Sequence, residues 1–199
     1  MEGGPKTVLH IVPLSMSDVS YNYALPELHK YDTALLDPLF TTMHDSRYNL
    51  DGFLTYAPNT KSSYLQIFRN GSIEAVSRNL LKDQEGRSII SARHYENHLI
   101  RGLSRFMSVQ AKMGIEMPVL VMLTLLGVAG YALDTSKDSF DHTGDHLIDR
   151  DSLVLPEILV ENADQDSAEI LRPAFDAIWN AAGFPRCAFY DDDGKRIQR

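Results

Sequence analysis

"SYLQIFRNGSIEAV", residues 63–76, sets two half-apolar runs on either side of Asn70-Gly71. Alternating runs separated by Asn-Gly form the strongest short-range signal for a β-hairpin. The spacing predicts a two-residue type I′ turn, with Arg69 opposite Ser72, Phe68 opposite Ile73 and Ile67 opposite Glu74. Arg69 and Glu74 then lie diagonally on one face, within reach of each other. The pair has two readings. One is a charged corner that holds the register and contributes under ~1 kcal/mol. The other is a ligand-binding arginine.

Further strands flank this hairpin. "TVLHIVPL" (7–14) alternates Val8, His10 and Val12 with Leu9 and Ile11 and ends at Pro13. "YNLDGFLTYA" (48–57) predicts a strand after an Asp51-Gly52 turn. Residues 15–48 lack periodicity and carry Pro26 and Pro38, so irregular structure with one or two helical turns is expected there. "VLVMLTLLGVAGYAL" (119–133) predicts a core strand that folds back at Gly127–Gly130. "LVLPEILVE" (153–161) predicts another, with Pro156 marking an edge or a bulge.

Helical periodicity appears in two segments. In 95–113, Leu99, Leu103, Phe106 and Met113 fall on one face, and Gly114 is a plausible stop. In 167–182, Leu171, Phe175, Ile178 and Ala182 recur at helical spacing behind an Asp166/Glu169 capping pattern. Pro173 should kink or restart that helix, Trp179 should be buried on its inner face against the sheet, and the tail after Cys187 should be a strand, a turn and a frayed end. Many strands and two amphipathic helices predict an α+β fold, a mostly antiparallel sheet with the helices packed on one face. Residues 1–199 read as a single domain.

The composition is that of an ordinary globular chain, 44% hydrophobic and 23% charged, with one cysteine. One cysteine excludes an internal disulfide framework and fits a reducing compartment. The longest apolar stretch, 119–133, is shorter than the ~20 residues of a spanning helix. With no secretory leader visible, a soluble cytoplasmic protein with no membrane contact is expected. Net charge is −8, and all of the excess lies after residue 110, where 16 acidic residues face 8 basic ones. Segment 69–112 runs the other way, with eight basic residues against four acidic. Arg101 and Arg105, spaced i, i+4, share a helical face that Arg93 could reach, so this segment is a candidate anion-binding surface.

Residues with chemical potential are few. Asp141, His142, Asp145, His146, Asp149 and Asp151 are metal-ligand types gathered in one polar loop, but without the spacing of a recognised site. A solvated loop that holds no metal is the expectation. His10 reads as a hydrogen-bonded strand histidine, and His94/His98 as an i, i+4 pair lacking a third ligand. Cys187, in "FPRCAFY", reads as core rather than nucleophile. No phosphate-binding loop, dinucleotide fingerprint or nucleophile elbow is present, so no cofactor and no catalytic residue is assigned.

Several stretches together resemble one family: "GGPKTVLHIVPL", "YNLDGFLTY", "YLQIFRNGSIEAV", "PVLVMLTLLGVAGYAL" and "LPEILVE…ILRPAFDAIWNAAGF". They look like the C-terminal half of bacterial proteins that carry an N-terminal Schlafen-type AlbA-like DNA-binding domain. Proteins of that family are catalogued as transcriptional regulators or ATP-binding proteins. The resemblance implies a non-catalytic binding, regulatory or oligomerisation module of a nucleic-acid-associated system, in stress response or defence. It implies a protein partner or an AlbA-like domain as neighbour, nucleic acid reached through that partner, and self-association as a possibility. Arg69, Glu74, Arg93, Arg101 and Arg105 are the candidate binding residues. The alternatives are a metal-dependent hydrolase or nuclease working through 141–151, and a direct nucleic-acid binder working through the basic 78–112 face.

Overall fold

In the N-terminal strand β1 (Lys6–Pro13), Thr7, Leu9, Ile11 and Pro13 are buried while Lys6, Val8, His10 and Val12 are half-buried. A strand shielded on both sides in this way belongs in the middle of a sheet, and β1 is paired along both edges. The computed structural model describes residues 4–17, 25, 28–31, 33–41, 43–81, 88–135 and 146–197. Three short 3-10 turns, Leu14–Ser17, Leu28–Lys30 and Thr33–Leu36, follow β1. A meander comes next: β2 (Asp45–Tyr48), β3 (Gly52–Tyr56), β4 (Ser63–Phe68) and β5 (Ile73–Ser77). A turn at Asn79–Leu81 and the short strand β6 (Ile89–Ser91) lead into helix α1 (Ala92–Lys112). The chain then forms β7 (Val119–Leu126), β8 (Ala132–Asp134), β9 (Ser152–Val154), β10 (Ile158–Val160) and helix α2 (Ser167–Ala181).

The main sheet has eight strands in the order β10-β7-β1-β5-β4-β3-β2, with β9 also paired to β7, and every pairing in it is antiparallel. The expected α+β fold is therefore the observed one. One sheet face, bearing Leu9, Ile11, Leu65, Ile67, Val121 and Leu123, merges with Leu99, Leu103 and Phe106 of α1 into a single core. Hydrogen bonds fix α1 across that face. The Thr7 hydroxyl donates to Tyr95 Oη at 3.3 Å near one end, and Gln110 Nε2 donates to the Gly71 carbonyl at 2.9 Å near the other. Helix α2 packs beside α1 and against β10.

Four details differ from the sequence reading. The 63–76 hairpin forms one residue out of the expected register: Ile67 faces Ile73, Gln66 faces Glu74, and Phe68 N–H donates to Ser72 O at 2.9 Å. The loop has three residues, because Gly71 alone takes positive φ (+83°) and its N–H closes a turn on Phe68 O at 3.0 Å. That is a type I turn with a glycine bulge, which asks nothing unusual of Asn70. Secondly, β8 does not fold back on β7. It pairs in parallel with β6 instead. Thirdly, Pro173 sits inside α2 without interrupting it. Both Pro173 and Glu169, whose carbonyl loses its helical donor, are exposed, so water can replace the missing bond. Fourthly, the tail is tied rather than frayed through residue 197: Tyr190 and Arg196 bridge, and Ile197 N–H donates to Phe189 O at 2.9 Å.

Pro156 behaves as expected. It separates β9 and β10, each of which pairs with a different stretch of β7. No helix of the described chain is long and apolar enough to cross a membrane.

Candidate functional site

Helix α1 displays one side away from the sheet, and that side floors an open groove of about 1180 Å³. Segment 37–41 forms one wall and segment 163–167, at the start of α2, the other. The first wall is seated by Gly102 of α1, where a Cβ would collide with the Leu39 side chain. A glycine at this point lets Leu39 approach the helix and become fully buried. The second wall is held by Asp166, whose carboxylate accepts from Ala168 N–H at 2.7 Å and caps α2.

The groove has charge on both sides. Arg105 donates to the Ala34 carbonyl at 2.7 Å and lies 3.7 Å from Asp37, which also meets His44 Nδ1 at 2.8 Å. Arg101 is exposed on the same floor and has no ion pair or hydrogen bond among the described residues. Asp164 and Asp166 line the opposite wall. His94 and His98 do share a helical face: their rings are 4.5 Å apart, and Phe40 sets its edge against both. Burial holds the His98 pKa below its ordinary value, and the neighbouring His94, Arg101 and Arg105 push in the same direction. Neutral His98 therefore presents an apolar, stackable surface at neutral pH.

The five candidate binding residues are dispersed. Arg101 and Arg105 open on the groove. Arg93 does not join them: its guanidinium lies 4.0 Å over the Phe189 ring and reaches the Ile197 carbonyl at 3.5 Å. Arg69 and Glu74 do not pair. Arg69 Nε donates to Leu50 O at 3.1 Å, tying the hairpin to the neighbouring β2–β3 turn. Glu74 belongs to a trio on the sheet face opposite the helices. His10 Nε2 lies 2.8 Å from one carboxylate oxygen, and the Tyr64 hydroxyl donates to the other at 2.6 Å. The register puts His10 directly opposite Glu74, so strand pairing alone brings them together. The hydrogen bond from His10 dominates in holding the Glu74 pKa below the ordinary carboxylate value, against the opposing effect of burial. With both carboxylate oxygens occupied, Glu74 is a fastened strut rather than a poised base.

A second polar cluster lies in the core and was invisible to sequence spacing. Glu96 of α1 is 2% exposed. Its carboxylate accepts from Trp179 Nε1 at 2.9 Å, from the Cys187 thiol at 3.4 Å and from Arg196 at 2.7 Å. Trp179 is buried as expected, though between α1 and the tail rings Phe184 and Phe189 rather than on the sheet. Burial, reinforced by the adjacent Glu96 carboxylate, raises the Cys187 pKa to about 12. A thiol so placed stays protonated and is no nucleophile at neutral pH.

Of the acidic loop, Asp141, His142 and Asp145 lie outside the described residues. His146 stacks on Phe184 at 4.7 Å, Asp149 sits 3.6 Å from Arg150, and Asp151 is exposed. Among the described residues, no group of three His, Cys, Asp or Glu side chains could hold a metal ion. No family model, curated protein or solved structure matches the chain.

Proposed function

We propose that the chain is a non-catalytic binding module of a bacterial nucleic-acid-associated system, in stress response or defence, and that it engages a protein partner through the α1 groove. The groove itself is the observation that supports this. It is an open trough whose α1 floor sets Arg101 and Arg105 among Ile100, Met107 and Ala111, with Asp37 on one wall and Asp164 and Asp166 on the other, and it leaves Arg101 unengaged among the described residues. A trough of such mixed charge suits a peptide segment bearing charges of both signs better than a uniform polyanion. The family resemblance points to an AlbA-like domain as the partner, with DNA contacted by that domain.

Titration of purified AlbA-like domain from a protein of that family into the labelled chain tests the reading. Micromolar binding is expected, weakened at least tenfold by Arg101→Glu and abolished by Ser108→Trp, which fills the groove without entering the core. Binding that ignores both substitutions would refute the groove as the docking site.

A further inference from the structure

The face of the main sheet opposite the helices departs from the usual pattern of an antiparallel sheet with one side in water, which alternates apolar inward and polar outward. Two adjacent strands, β1 and β7, carry apolar residues on both faces, with Lys6, His10 and Thr124 interspersed on the outward rows. Strand β1 presents Val8 and Val12 outward, and β7 presents Leu120, Met122 and Leu126. These side chains are half-buried, and among the described residues both helices lie on the other side. At the rim of the same face, Val154 is 80% exposed beside Thr124, and Leu159 is 50% exposed beside Leu120.

The polar trio on this face is already satisfied. His10, Glu74 and Tyr64 bond one another, so covering them strands no unpaired charge, which is the usual obstacle to desolvating such groups. Over the outward rows as a whole the formal charges balance, Lys6 and Arg47 against Asp45 and Glu74. A near-neutral face on a chain of net charge −8 is where a second, equally acidic copy can approach without repulsion. A basic or acidic partner would find no field to read there.

We propose that this face packs against the same face of a second copy, forming a sheet-on-sheet homodimer. Size supports self-association. Seven strands abreast at about 4.8 Å, with strands of some six residues at about 3.3 Å each, span roughly 30 by 20 Å. That is on the order of 600 Å², comparable to the ~800 Å² per partner of a stable interface. The α1 groove lies across the core from this face, so the dimer neither requires nor blocks the binding proposed above, and either idea can fail alone.

Sedimentation velocity over a concentration series to about 100 μM, in the micromolar range where modest interfaces assemble, is the test. The wild-type chain should sediment as a dimer. Val12→Glu with Met122→Glu should give a monomer with at least 100-fold weaker association. Val154→Glu with Leu159→Glu, confined to exposed rim positions that the fold does not need, should weaken association at least tenfold with an unchanged melting curve. A wild-type monomer at the highest concentration overturns the proposal. So does a dimer that survives the rim pair with undiminished affinity. A monomer that becomes a heterodimer on adding the AlbA-like domain, in a manner sensitive to the rim pair, assigns the face to that partner and equally overturns it.

Discussion

Gly71 holds φ at +83° and carries the whole turn between β4 and β5. A β-branched residue resists that region, so Gly71→Val should cost about 1–3 kcal/mol through backbone strain. The urea midpoint reads this directly, and an unchanged midpoint would contradict the glycine-bulge geometry. Glu74 is a residue-scale case of a different kind. Its pKa is depressed below the ordinary 4.5 in the folded chain, so its stabilising contribution is present above that value and is lost as pH falls through the lower, folded value. The stability gap between wild type and Glu74→Gln should therefore narrow as pH drops from about 5 toward about 3. A gap that stays constant over that window would mean the His10 and Tyr64 bonds do not act on the charged form.

At the scale of elements, the tail is fastened to the N-terminal part of α1. Arg196 and Glu96 form a buried pair at 2.7 Å, and Phe175, Phe189 and Tyr190 surround the guanidinium. Removing one member of such a pair leaves a charge without its partner in the core, so Arg196→Ala should cost about 3–5 kcal/mol. Thermal unfolding checks this, and a shift too small to measure would show the tail to be dispensable. Periodicity revealed both helices, β1, β7 and the break at Pro156, because each buries one face against the core and writes that face into its spacing. It did not reveal β2, whose four residues are all exposed, or β6 and β8, whose three-residue pairing owes everything to a distant partner. The Glu96–Arg196 pair escaped for the same reason, since a contact across 100 residues leaves no local trace. His10 was noticeable as a histidine in an apolar strand, yet its carboxylate partner became identifiable only once the register of β1 against β5 was known. The hairpin slipped by one because Asn-Gly suits both a two-residue turn and a three-residue loop with Gly71 as the bulge.

For the whole molecule, charge decides what it can approach. Of the three arginines placed on a common anion surface, Arg93 is folded into the tail, Arg105 is bound to Ala34, and Arg101 is exposed. One such cation predicts a counterion slope near 1 on duplex DNA, far below that of a protein making many phosphate contacts. The chain alone should therefore show no sub-micromolar duplex affinity near physiological salt. A labelled-duplex titration at several salt concentrations measures this. Tight binding that disappears in Arg101→Glu with Arg105→Glu would promote direct nucleic-acid contact over the partner reading.

The central position of β1 also sets a schedule for synthesis. Its β5 edge can be paired once the meander has emerged, but its other edge waits for β7, which begins only at Val119. At elongation rates of roughly 5–20 residues per second, that edge stays open on the order of ten seconds. Throughout that interval the nascent chain presents an apolar, unpaired strand, the kind of template that recruits other chains. Its yield in cells thus depends on what shelters β1 during translation as well as on the stability of the finished fold.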